Sequence, residues 1–248
     1  MSVVYQAPAF DEDNFGISVQ SCNGSEYLIW WSGTDIDERA AGIYHILDNT
    51  YKNIWNVTAV GFEYADAHDI FLTPECTAVF TVNEPREYDL RDFGIDNGWI
   101  QESYIQEVDL ASNALSFQWR ASDFVEPHDS FWTPDIRGPT EPLQGMMRTD
   151  SWDFFHINSV HKDPRGNYLI SSRHYPSLYY IDGSTGSIHW TLGGKQNNFT
   201  DLSDGWATNF AWQHHARWID PELTSISLFD DRNCRSVRNA PKDSCTTN

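Results

Sequence analysis

Positive charge is scarce in this sequence. Sixteen lysines and arginines stand against 36 aspartates and glutamates, a net charge of −20. That balance excludes non-specific nucleic-acid binding, which needs a basic surface to neutralise phosphates. It also repels anionic small molecules at long range, so an anion site must carry its own local cations. No apolar run reaches the length of a membrane-spanning helix, and no membrane span is expected. The opening residues MSVVYQAPAFDED lack the basic segment and apolar core of a signal peptide, so the chain as given shows no export signal. Cysteine is sparse. Cys22, Cys76, Cys234 and Cys245 form neither a CxxC nor a zinc spacing, which leaves one or two disulfides, or free thiols, open.

What the sequence does have is short alternating strands and aromatic residues. Eleven tryptophans are present, and aromatic residues make up 15% of the 248 positions. Such a chain can bury a sizeable core and is expected to be all-β. Three N-glycosylation sequons, beginning at Asn23, Asn56 and Asn198, are compatible with a secreted glycoprotein but do not establish one.

The most regular stretch is 152–195. Residues 155–160 alternate, 163–167 are turn residues, 168–172 and 177–181 alternate again, 182–186 turn, and 187–192 close the set. Four short strands with tight turns predict one antiparallel four-stranded sheet, the unit of a β-propeller blade. A first blade is read over 15–20, 26–31, 42–47 and 54–59. A second spans 67–72, 77–82, 104–109 and 115–119, interrupted by a long polar connection at 83–98. New strands begin at 210–218 and 226–230. Residues 121–150, with four prolines and a Met pair, form a long insertion. It is either a cover over one mouth of the propeller channel or a mobile surface loop. The organisation expected is an irregular segment at 1–14, a partial propeller at 15–230 and an irregular tail at 231–248. About three and a half blades are present, so the chain reads as incomplete, and its oligomeric state is not specified.

Three inner strands share a plan: a histidine near the start, then an alternating run, then a turn with proline. They carry His68 before Pro74, His156 before Pro164 and His214 before Pro221. Asn158 lies two residues after His156, hence on the same strand face, and Arg173 ends the neighbouring strand. Alternation turns His174 and His215 away from the channel that Arg173 and His214 face. His45, His128, His161 and His189 are expected on outer strands or loops, in solvent. Converging imidazoles, a carboxamide and a guanidinium offer donors for an oxyanion and candidate nucleophiles. Phe154, Phe155, Phe210 and Trp212 are read either as stacking partners for an aryl ring or as core. Three neutral imidazoles could bind zinc, but Arg173 would sit beside the cation. No metal is expected.

The run HINSV…SSRH…YID…TG…IHWTLGGK, followed by Trp212-Gln213-His214 and SLFD, resembles the arylsulfotransferase (ASST) family, closest to its eukaryotic ASST-like branch. The similarity extends over about 14–230. It implies a six-bladed propeller and a transfer of a sulfuryl group from a phenolic sulfate ester to another phenol, independent of PAPS and without a cofactor. The resemblance implies that His214 becomes sulfated, and that His68, His156, Asn158 and Arg173 hold the sulfate. The partners implied are small aryl sulfates and phenols. A propeller that binds ligands or protein partners without catalysis is the alternative from a different class.

Overall fold

The structure, a computed structural model, describes residues 13–232. Among these, every regular element is a β-strand apart from three short 3₁₀ turns, Arg91–Phe93, Ala121–Asp123 and Pro127–Asp129. The tail from residue 233 onward, with Cys234 and Cys245, lies outside the described residues, as does most of the expected irregular N-terminal segment.

The first sheet has the order β1 (Asp13–Cys22), β2 (Ser25–Ile36), β3 (Arg39–Leu47) and β4 (Asn53–Val57), each strand antiparallel to the next. Its first hairpin closes on Asn23-Gly24, both with positive φ (46° and 74°), the combination a two-residue primed turn requires. Asp37-Glu38 does the same between β2 and β3 (53° and 61°), so both strands run further than the sequence pattern suggests. β1 likewise begins two residues before the predicted strand. The second sheet runs β5 (Ile70–Leu72), β6 (Thr77–Leu90), β7 (Ile95–Asp109), β8 (Leu115–Arg120). The third runs β9 (Ile157–Lys162), β10 (Tyr168–Ser172), β11 (Ser177–Ile181), β12 (Ile188–Gly193), again antiparallel throughout. A two-stranded sheet pairs β13 (His214–Trp218) with β14 (Ile226–Phe229).

The expected polar connection at 83–98 is not a loop. It is the far half of β6, the 3₁₀ turn and the start of β7. Pro85 is tolerated because β5 covers β6 only as far as Phe80, so the edge beyond needs no ladder donor. The charge is absorbed internally. Glu102, fully buried on β7, accepts from Arg86 (Nε, 3.0 Å) and from Ser122 (Oγ, 2.5 Å).

The chain divides into two compact units, one of the described residues up to Asn83 with Gln106–Gln118, the other of Glu84–Ile105 with Trp119 onward. In the first, Ile29, Trp31, Tyr44, Ile46 and Phe80 form the dry centre. A Cys22–Cys76 disulfide ties the β1–β2 turn to the β5–β6 turn, and Asn23 N–H donates to the Pro74 carbonyl (2.9 Å). In the second, Trp119, Trp152, Phe154, Phe155, Tyr175 and Tyr179 are fully buried and pack ring on ring. Leu169, Leu178, Phe210 and Ala216 join β10 and β11 to β13. The backbone of β13 leans on β9 side chains: Ala216 N–H donates to Ser159 Oγ (3.0 Å) and Trp218 N–H to His161 Nδ1 (3.1 Å).

The 121–150 insertion is tied into the second unit. Tyr175 Oη donates to the Glu126 carbonyl (2.6 Å), Ser130 Oγ to that of Phe154 (2.7 Å) and Trp152 Nε1 to that of Trp132 (2.6 Å).

Candidate functional site

The second unit gathers its polar chemistry where β9 begins and β10 ends. Phe154 and Phe155 are wholly buried, which pins the chain just before His156. His156 precedes β9 and has φ +57°, a conformation uncommon for a residue with a side chain. At the end of β10 Ser172 Oγ donates to the Phe155 carbonyl (2.5 Å), and just past the strand Arg173 N–H donates to that of His156 (3.0 Å). Arg173 and His174 therefore lie beyond the regular strand, and strand alternation does not govern where they point.

This irregularity assembles a histidine pair on one aspartate. The Asp153 carboxylate accepts a hydrogen bond from His156 Nδ1. The Asp153 carbonyl accepts one from His174 Nδ1 (2.5 Å), whose nitrogen is also 3.8 Å from the carboxylate. The two imidazole centres are 4.8 Å apart. His174, expected to face away, is in the cluster and buried. Burial pushes its pKa down to about 3, with the His156 and Arg173 charges adding to the effect and Asp153 opposing it. At neutral pH it is an uncharged ring.

Two tryptophans wall the cluster. Trp132, from the insertion, stacks on His174 (5.0 Å, 8° between planes) and is held by its Nε1 on Gln144 Oε1 (2.8 Å). Trp212 meets Trp132 edge-on (5.7 Å) and carries the Arg173 guanidinium 4.0 Å from its ring centre. Among the described residues Arg173 forms no salt bridge, and its Nε is buried without a hydrogen-bond partner. Burial lowers its proton affinity, while Asp153 and Asp231 pull the other way. A half-buried guanidinium stacked on indole with no carboxylate bonded to it is a ready cation for an anionic ligand. Asp153, His156 and His174 also hold ligand-type atoms within 4.8 Å of one another. Both Nδ1 atoms, however, face hydrogen-bond acceptors and so carry protons rather than metal-binding lone pairs.

His214 is the first residue of β13 and is half-buried, whereas His215 is exposed, with φ +55° at a bulge between His214 and Arg217. The preceding residue anchors it. Gln213 is fully buried, and its Nε2 donates to Ser171 Oγ (3.0 Å), the Ser172 carbonyl (2.8 Å) and the Ser177 carbonyl (3.2 Å). Asn158 donates its Nδ2 to the Gln213 carbonyl (2.7 Å) and is only 3% exposed. It thus braces the backbone entering His214.

His68 lies in the first unit, in a similar local pattern. Its Nδ1 donates to Asp66 Oδ2 (2.8 Å), which also accepts from Thr81 Oγ1 (2.8 Å). Burial alone would raise the Asp66 pKa, but the His68 charge and these hydrogen bonds hold it below the ordinary carboxylate value.

His156, Asn158, Arg173 and the backbone leading to His214 are therefore gathered in one unit, and His68 belongs to the other. Phe154, Phe155 and Phe210 are core, which leaves Trp212 as the aromatic candidate from the sequence. Two histidines expected in solvent are not there. His45 is buried between Ser32 Oγ (2.8 Å) and Asn56 Oδ1 (3.1 Å), and His161 is pushed down to about 4 by burial and by Arg217. Asp153, His174, Gln213 and Trp132 join the site without having been expected there from the sequence. Asp153 carries a legible signal, Asp-x-x-His before a strand, and Gln213 sits inside the Trp-Gln-His motif. Trp132 lies in an aperiodic insertion with no signal.

A family model described as Arylsulfotransferase (ASST) matches residues 18–247. No curated protein matches the chain. Among solved structures it is similar to a protein of unknown function from Bacteroides caccae, at 12% identity and a TM-score of 0.40 over 77% of this chain. The match covers 51% of that protein, so the chain spans about half the length of the solved relative.

Proposed function

We propose, from the premise that this chain belongs to the arylsulfotransferase (ASST) family, that it serves PAPS-independent sulfuryl transfer from an aryl sulfate to a phenol through a sulfohistidine at His214. In the same reading the four-stranded sheets are blades of a β-propeller of the six-bladed kind that the family resemblance implies. The observation that carries the proposal is Arg173: a half-buried guanidinium, stacked on Trp212 and forming no salt bridge among the described residues, beside the Asp153–His156–His174 cluster. In a protein of net charge −20, such a cation is what an anionic substrate needs at close range.

Sulfuryl transfer moves an electrophilic sulfur between nucleophiles while its three oxygens gather charge. A neutral imidazole attacks well near neutral pH, its ordinary pKa being about 6.5. In the first half-reaction the His214 lone pair forms the N–S bond, the S–O bond to the aryl group breaks, and the leaving phenolate takes a proton from a histidinium. In the second, an acceptor phenol forms the new O–S bond and gives its proton back to that histidine. The N–S electron pair returns to His214. Arg173 fixes the sulfuryl oxygens, with the His156 imidazolium as a further donor. Asn158 acts through Gln213, holding the strand that bears His214. The edge-on pair Trp132 and Trp212 supplies an apolar wall for an aryl ring.

The test is incubation of the full chain with a chromogenic phenyl sulfate and a phenol. Release of the chromophore that depends on the acceptor phenol, with the sulfate ester appearing on that phenol, supports transfer. Saturable binding of the sulfate with no turnover refutes it and favours the non-catalytic binding propeller.

A further inference from the structure

We infer that Asp153 is a positioning residue that makes His156 a proton carrier of the reaction; this rests on the sulfuryl-transfer reading above. A carboxylate and a carbonyl can only accept hydrogen bonds. His156 Nδ1, facing the Asp153 carboxylate, therefore carries its proton, and so does His174 Nδ1, facing the Asp153 carbonyl. In the neutral His156 ring the lone pair is then on Nε2, the nitrogen away from Asp153. His174 is buried and uncharged, stacked under Trp132, and its bond to the Asp153 backbone keeps that residue in place. The left-handed φ of His156 and the Arg173 N–H bond to its carbonyl fix the other end. The ring is thus held at Nδ1, at its backbone and by its neighbour His174. Strain retained at +57° by this many contacts is the kind of cost found where geometry serves function.

In the transfer step the acceptor O–H bond breaks as the O–S bond forms, and the proton passes to His156 Nε2. The resulting imidazolium is paired to Asp153. In the other half-reaction the same proton goes to the departing phenolate, so no co-reactant is needed. The neighbouring groups do not substitute for this arrangement: Arg173 is a permanent cation, and His174 presents its proton to a carbonyl.

The test is Asp153→Asn in the full chain. An amide can turn its NH₂ toward His156 Nδ1 and impose the opposite tautomer. The expected loss is about 10²- to 10⁴-fold in kcat with KM for the aryl sulfate little changed, and Asp153→Glu restores part of it. A second readout does not depend on activity: nitrogen-15 NMR of labelled histidine should show His156 as the Nδ1–H tautomer in the wild type and shifted in Asp153→Asn. An unshifted tautomer, or an unchanged kcat, overturns the positioning role. If the wild type transfers nothing but the tautomer shifts as expected, the sulfuryl-transfer reading fails while the Asp153 clamp stands.

A separate set of observations carries a second proposal. We propose that Asn23, Asn56 and Asn198 are N-glycan attachment sites. All three are exposed, and none donates a hydrogen bond through Nδ2 among the described residues. In two of them the carbonyl side is held instead: Asn56 Oδ1 accepts from His45 and Asn53, and Asn198 Oδ1 from Thr191 N–H (2.8 Å). The amide nitrogen that would carry the sugar is thereby turned outward. The disulfide beginning at Cys22, next to the first sequon, fits an oxidising compartment, where such transfer takes place. The protein isolated from its source, treated with peptide N-glycosidase in heavy-oxygen water and mapped by peptide mass, should show Asn-to-Asp conversion with label at all three. An unmodified asparagine at a site overturns the assignment there.

Discussion

Replacing Arg173 by Met removes the charge and keeps most of the stem. The guanidinium stands 4.0 Å from the Trp212 ring centre and, among the described residues, is bonded to no carboxylate, so its charge is available to a bound anion. A hydrogen bond to a charged partner contributes about 1.5–3 kcal/mol, which corresponds to about 10- to 150-fold in affinity for an aryl sulfate. Arg173→Lys keeps a positive charge but gives up the planar fork and the stacked contact. The loss there is about 1 kcal/mol, or about 5-fold. Stability should move the other way. Burial opposes the charge of Arg173, so Arg173→Met is expected to leave the urea midpoint unchanged or raised. The assay is steady-state turnover of a chromogenic aryl sulfate beside urea unfolding of the same preparations. Equal activity in the Met variant and the wild type would refute the reasoning. So would a Met variant less stable than wild type, because that would make Arg173 a structural residue.

Reduction of Cys22–Cys76, or its replacement by a serine pair, should lower unfolding stability by about 4 kcal/mol, the loop-closure value for a separation of 54 residues; an unchanged urea midpoint contradicts it. His161 and His174 are held at about 4 and about 3 by burial, below the unfolded value of about 6.5, so between these limits the unfolded chain binds more protons and stability is lost as pH falls from about 6.5. His161→Asn, which keeps an acceptor for Trp218 N–H, should flatten the fall in urea midpoint between pH 7 and 5 relative to wild type, and equal slopes would remove His161 from the account. Gly194→Ala at φ +61° would set a Cβ 2.1 Å from Ser177 Oγ and 2.3 Å from the Tyr175 carbonyl, and calorimetry should show a loss of about 1–3 kcal/mol.

The strands of the third sheet are legible because their side chains alternate and their turns are marked. Tyr168–Ser172 and Ser177–Ile181 coincide with the expected runs. The far halves of β6 and β7 are not, because Pro85 and a run of charges look like a loop until Arg86 and Glu102 are seen to neutralise one another. Of the site, the histidines, Asn158 and Arg173 stand out by residue type and motif. Their orientation does not, because period-two alternation holds only inside a regular strand. His156 at φ +57°, the turn at Arg173-His174 and the bulge after His214 all break it. That is why His174 turned out to be part of the cluster. It is also why His156 and Asn158, two apart, do different things, one bonded to Asp153 and the other to Gln213. The Cys22–Cys76 pairing depends on which turns the sheets bring together, which cysteine spacing alone does not encode.

His214 is proposed to receive the sulfuryl group. Intact-protein mass spectrometry after brief exposure of the full chain to a phenyl sulfate, with no acceptor added, tests it most directly. Expected are an adduct of one sulfuryl group on the wild type and on His215→Ala, its loss on adding a phenol, and no adduct on His214→Ala. An adduct that persists in His214→Ala would contradict it.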